Sequence, residues 1–174
     1  TSAVAVSGTS AGAVLNMTNS GTILGQFSLF SDAQFNRVVN TGLMDGSLLF
    51  NGATFSTFLH NSGTINGDIV ASAAGVGPSA GTVRMTNSGD IVGAILLDDG
   101  FDVYRATDGA FVSESVRMGE GDDLFDGANG GIVGDLIDMG SGNDTIRVNQ
   151  ANAIVDGGLG QDTLLTAQSI ADVA

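Results

Sequence analysis

The sequence predicts an all-β chain, a parallel β-solenoid of about eight rungs of roughly 21 residues each. Three observations predict it. An Asn-x-Gly turn recurs at a fixed spacing, apolar positions hold one phase against it, and no window supports a long helix.

The turn reads Asn19-Ser20-Gly21, Asn40-Thr41-Gly42, Asn61-Ser62-Gly63 and Asn87-Ser88-Gly89, and continues more loosely at Asp108, Asn129 and Gln150. Successive anchors lie 21, 21, 26, 21, 21 and 21 residues apart. The one long interval contains Gly75-Val76-Gly77-Pro78-Ser79, a loop composition, so five extra residues bulge out around 73–80 without breaking the register. Asn and Gly suit corners that need unusual backbone angles. Stacked Asn side chains also form hydrogen-bonded ladders, which predicts a structural role for this column.

Four residues after each anchor come Ile23, Met44, Ile65, Ile91, Val112, Val133 and Ile154. Eight after it come Phe27, Leu48, Ile69, Ile95, Val116 and Ile137; ten after it, Leu29, Phe50, Ala71, Leu97, Met118 and Met139. Positions eight and ten share one face of a strand, because side chains alternate with period two. One rung cannot bury this apolar face alone, whereas stacked rungs bury it against each other. Gly, Ser, Thr and Asn interrupt every candidate helix.

The chain reads as a single solenoid domain, 1–174, in two halves. Residues 1–87 hold three acids and residues 88–174 hold sixteen of the total of 19, against five Arg and no Lys. A net charge of −14 disfavours nucleic acid and anionic membrane as partners, since both demand a basic face. No apolar run reaches the length of a membrane span, so no direct membrane insertion is expected of this segment. The absence of Cys is compatible with export but identifies no compartment.

A second turn marks the acid-rich half: Leu97-Asp98-Asp99-Gly100-Phe101-Asp102, Met118-Gly119-Glu120-Gly121-Asp122-Asp123, Met139-Gly140-Ser141-Gly142-Asn143-Asp144 and Gly157-Gly158-Leu159-Gly160-Gln161-Asp162. The closing aspartates, spaced 21, 21 and 18 apart, should stack on one edge, each followed two residues later by Tyr104, Phe125, Ile146 or Leu164. Carboxylates stacked at rung spacing repel one another, and an oxygen-rich loop is the ligand set Ca²⁺ prefers. The competing reading is a solvent-facing acidic edge, screened by water and counterions.

The stretch Gly157-Gly158-Leu159-Gly160-Gln161-Asp162-Thr163-Leu164-Leu165 resembles the GGxGxDxUx nonapeptide of calcium-binding RTX β-rolls, and Gly119–Phe125 and Gly140–Ile146 match it in part. That resemblance, over about 70 residues, implies Ca²⁺ between rungs with Asp102, Asp123, Asp144 and Asp162 as metal ligands. The chain departs from the family in its 21-residue rung and in lacking a second acidic loop on the opposite edge. As a whole the chain is similar to the β-helical passenger region of bacterial autotransporters, on turns such as Asn61-Ser62-Gly63-Thr64-Ile65 and Gly140-Ser141-Gly142-Asn143-Asp144. This resemblance implies a right-handed helix at a bacterial cell surface or outside the cell. It also implies a stalk or adhesin whose partners are host-cell or matrix ligands, or neighbouring copies of itself.

No catalytic residues are expected. There is no Lys to act as base, the five Arg read as scattered, and His60 has no acidic neighbour in its own rung. Paired acids such as Asp98/Asp99 and Asp122/Asp123 fall in repeated turns rather than in one singular pair. Phe27, Phe30, Phe35, Phe50, Phe55 and Phe58 are expected to thicken the N-terminal core. The expectation is a non-enzymatic surface or secreted β-helix, a structural stalk or adhesin segment, with calcium stabilisation and a plain acidic edge both left open. The alternatives are a calcium-dependent polysaccharide-active enzyme and a self-assembling filament or S-layer-type protein.

Overall fold

β-Branched and aromatic residues in short alternating runs, cut by Gly and Asn, can only form strands that leave and rejoin a stack. The computed structural model describes residues 4–8, 14–25, 27–31, 35–51, 56–71, 81–107 and 109–166. The loop expected at 73–80 lies outside them, as do Asp108 and the side chains of Phe27, Phe30 and Phe55. Among the described residues all regular structure is strand, and no helix is long and apolar enough to cross a membrane.

Each interior rung contributes one strand to each of three parallel sheets. One rung runs Phe35–Asn40, Leu43–Asp45, Leu48–Asn51; the next runs Ser56–Asn61, Thr64–Ile65, Ile69–Ala71. We call these sheet 1, sheet 2 and sheet 3. Among the described residues sheets 1 and 3 hold eight strands each and sheet 2 six, every neighbour pair being parallel and one rung apart in sequence. The fold is therefore the parallel β-solenoid that the 21-residue phase predicts.

The three sheets enclose one core. Met44, Ile65, Ile91, Val112 and Val133 enter it from sheet 2. Leu48, Ile69, Ile95, Val116 and Ile137 enter from sheet 3, with Phe50, Ala71, Leu97, Met118 and Met139 two residues on. Sheet 1 adds Val38, Leu59, Met85, Tyr104, Phe125 and Ile146. Fully burying each such side chain contributes about 1.5–3 kcal/mol, so the stack rather than any single rung is the stable unit.

Three sequence expectations need correction. The Asn column does not continue at Asn129 and Gln150. Asn87 pairs with Ala106, and the register then runs through Gly127 and Val148, because the turn at 97–102 makes that rung of sheet 1 two residues shorter. Ile154 does not take the Val133 position in sheet 2; it pairs with Leu136 in sheet 3, and Val155 faces Ile137. The last rung is three residues short, its turn passing through Asn152 at positive φ, and among the described residues it gives sheet 2 no strand. Finally, Phe58 does not thicken the core, since it stands on the outer face of sheet 1, 41% exposed. Phe50 is buried as expected, and Phe35 is half-buried against Phe58 with ring centroids 5.4 Å apart.

Candidate functional site

Sheet 1 carries a polar ladder at each of its two edges, in different halves of the stack. At the Asn-x-Gly corner the amide Nδ2 of Asn19 donates to Asn40 Oδ1 at 2.8 Å, Asn40 to Asn61 at 2.8 Å, and Asn61 to Asn87 at 2.9 Å. Each amide also donates to a carbonyl of the next rung, that of Leu43, Thr64 or Asp90. All four side chains are buried. A buried amide is tolerated only when paired, and here donors and acceptors cancel along the column. The Gly two residues on is equally constrained: a Cβ on Gly63 would collide with the carbonyl oxygen of Gly42.

At the other edge, in the later rungs, stand the aspartates. Their column continues the inward positions Leu15, Asn36, Thr57 and Val83 of the earlier rungs, because Val103 pairs with Arg84 and Asp102 precedes it. Val83 N–H donates to Asp102 Oδ1 at 2.7 Å, Asp102 N–H to Asp123 Oδ1 at 2.8 Å, and Asp123 N–H to Asp144 Oδ1 at 2.8 Å. Asp144 N–H donates to Asp162 Oδ1 at 3.1 Å. The four predicted residues therefore do stack in one column.

Their surroundings differ from a screened acidic edge. Asp102, Asp123 and Asp144 are 1–2% exposed, while Asp162 in the last rung is exposed. The outward acids of the same turns, Glu120 and Asp122, carry the solvent-facing charge. Burial raises Asp102 to about 7 and Asp123 to about 8, against the opposing backbone hydrogen bond, with neighbouring carboxylates adding to the rise. Asp144 is raised for the same reason, burial first. The turns close tightly above this column. Gly121 adopts φ +134°, and a Cβ there would collide with the carbonyl oxygen of Gly100 in the rung before.

The donor set can be weighed against Ca²⁺, which takes 6–8 oxygen ligands. In favour stand two buried, unpartnered oxygens, Asp123 Oδ2 and Asp144 Oδ2, on adjacent rungs. Against stand the other oxygens. Each Oδ1 accepts a backbone N–H, and the turn carbonyls of Asp98, Gly119 and Gly140 accept N–H groups of Glu120, Ser141 and Leu159. Among the described residues no three His, Cys, Asp or Glu side chains converge as a metal group. In this arrangement the column fits a hydrogen-bonded ladder better than a filled calcium shell.

The sequence reading missed a third feature. On the outer face of sheet 1, Arg37, Phe58, Arg84, His60 and Arg105 line a groove of about 360 Å³. The Arg residues are thus not scattered, since Arg147 lies on the same sheet and only Arg117 is elsewhere, on sheet 3. The signal was present: Arg37 and Phe58 are 21 apart, and Phe58 and Arg84 are 26 apart, the same step plus the five-residue insertion.

No protein-family model matches the chain, and comparison with characterised proteins and with solved structures likewise returns no match.

Proposed function

We propose that this chain is a non-enzymatic, surface-exposed or secreted β-solenoid that acts as a rigid spacer or adhesin segment. The supporting observation is that its polar groups are spent on rung-to-rung cohesion. The Asn ladder spans rungs from Asn19 to Asn87, and the Asp ladder takes over from Val83 to Asp162, so one cohesive edge follows the other along sheet 1. Carboxylates tied to backbone N–H groups in a repeat are poor candidates for acid–base chemistry, which needs a group able to exchange its proton with a substrate. The location is tested by labelling intact source cells with antibody to the chain, before and after external protease. Labelling that appears only after lysis would sink the reading.

A second reading, in which Ca²⁺ joins the Asp column and hardens the fold, rests on the orphan oxygens of Asp123 and Asp144. Thermal unfolding in EDTA, in Ca²⁺ and in Mg²⁺ separates it from the first. A midpoint raised by Ca²⁺ alone supports the ion, by linkage, and an unchanged midpoint leaves the hydrogen-bonded ladder.

A further inference from the structure

We propose that the outer face of sheet 1 binds an acidic polysaccharide, with Arg37, Arg84 and Arg105 holding its carboxylates and Phe58 stacking on a sugar ring. The chain carries −14 net charge, yet this face inverts it. The strands of sheet 1 hold four of the five Arg and one carboxylate on the outer face, Asp126, which Arg147 engages at 3.5 Å. Among the described residues Arg37, Arg84 and Arg105 have no carboxylate partner. Clustered guanidinium groups without counter-charges repel one another and attract anions.

Pairing places the groups. Arg37, Phe58 and Arg84 occupy one column on successive rungs, so the two Arg residues leave the sheet on either side of Phe58, their backbones two rung spacings or about 9–10 Å apart. His60 and Arg105 stand in the next column, one and three rungs on from Val39, with Thr86 between them. Arg84 is steadied by the ring of Phe101, whose centroid lies 5.8 Å from its guanidinium carbon. Phe35, on the same outer face, packs beside Phe58 with ring centroids 5.4 Å apart.

The chemistry selects among anions. A peptide cannot add here as a strand, because both edges of each interior strand of sheet 1 are already paired, so only side chains recognise the ligand. An exposed ring between cations matches a pyranose, which offers an apolar C–H face and an equatorial carboxylate in one unit. Nucleic acid, with one charge per about 1.7 Å of duplex, meets repulsion from the acidic remainder of the chain. A uronate chain places charges more sparsely, at a spacing that two rungs can follow.

The proposal adds a ligand to the scaffold reading, rests on it only in being non-catalytic, and stands without calcium. Its test is titration calorimetry in EDTA on the full chain. The probes are oligomers of a uronate homopolymer, the same oligomers methyl-esterified, a uronate–hexosamine copolymer, a sulfated glycan and poly-glutamate. The expected result is binding of an acidic glycan, lost on esterification. Arg84→Gln should weaken it about tenfold or more. Phe58→Ala should weaken it while Phe58→Trp retains it, and Arg117→Gln on sheet 3 should leave it unchanged. All four substitutions fall on exposed side chains, and circular dichroism checks that each variant folds. Failure to bind any acidic glycan, tighter binding of poly-glutamate, or equal binding by Arg84→Gln would overturn the proposal. Shortening of the bound glycan would instead overturn the non-catalytic reading.

Discussion

The side-chain amide of Asn87 donates to the hydroxyl of Tyr104 at 3.4 Å, and this contact ends the Asn ladder. The next position in the column is Ala106, which has no polar side chain. Tyr104 reaches the amide from two residues earlier on the same strand, its ring stacked on Phe125 with centroids 5.1 Å apart. Burial pushes the phenol up to about 12, so it stays protonated and neutral at any ordinary pH. The handover lets the column change from amides to the apolar Ala106 and Val148 without leaving Asn87 with an unanswered donor.

Removing a middle member of that ladder should cost more than removing its end. Asn61→Ala strands an amide donor of Asn40 and an acceptor of Asn87, a loss of about 2–4 kcal/mol. Asn61→Asp should be worse at neutral pH, since it adds a buried charge and deletes the donors. Tyr104→Phe removes one long bond and should cost only about 1 kcal/mol. Urea unfolding midpoints of the three variants check the order, and a Tyr104→Phe loss equal to that of Asn61→Ala would refute it.

The Asp column predicts an unusual pH dependence for the metal-free chain. In the unfolded chain its carboxyls ionise in the ordinary carboxylate range, whereas in the folded chain Asp102 and Asp123 keep their protons up to about 7 and 8. Between those limits the folded state holds more protons than the unfolded state. Stability therefore falls as pH rises through this window and levels off above about pH 8. The midpoint in EDTA should be several degrees higher at pH 5 than at pH 8.5. A midpoint that climbs over the same range would count against a neutral, buried column.

Asp123→Asn isolates that effect from the general repulsion among acids. The amide oxygen still accepts the N–H of Asp102, and the charge that burial penalises is gone. At pH 9 in EDTA the variant should be more stable than the parent, on the order of 1–3 kcal/mol, and nearly equal to it at pH 5. Any Ca²⁺ response of the parent should shrink with it. Equal stabilities at pH 9 would show that Asp123 is ionised at no cost.

The rung, the three columns of core residues and the Asn ladder were legible because each repeats at 21 residues, and a repeat reports its own phase. The stacking of Asp102, Asp123, Asp144 and Asp162 was legible for the same reason. Their burial was not. Gly and Asp read equally well as a wet turn, and only the pairing of Val103 with Arg84 places Asp102 on the inward column behind Val83. The groove was hidden by two offsets, the five-residue insertion before Arg84 and the shorter rung before Arg105. Arg84 and Arg105 are 21 apart in sequence yet stand in different columns, so spacing alone misassigns them. Conversely Gln150, which falls in the Asn phase, lies two residues past the ladder column, whose position in that rung is Val148.

What Gln150 does is close sheet 2. Its Oε1 accepts the N–H of Val133 at 2.9 Å and its Nε2 donates to the carbonyl of Val133 at 3.0 Å. One side-chain amide thus supplies the donor and the acceptor that another strand would have offered to Ile132–Val133. Gln150→Ala should cost about 1–2 kcal/mol, and its signature should be local. Amide exchange at Val133 should accelerate strongly while exchange at Val112, one rung inside the sheet, stays slow. Gln150→Glu keeps the acceptor but sets a carboxylate against the Val133 carbonyl, so it should preserve protection of the Val133 N–H and still lose stability. Unchanged exchange at Val133 in Gln150→Ala would mean that the edge is covered by something other than this amide.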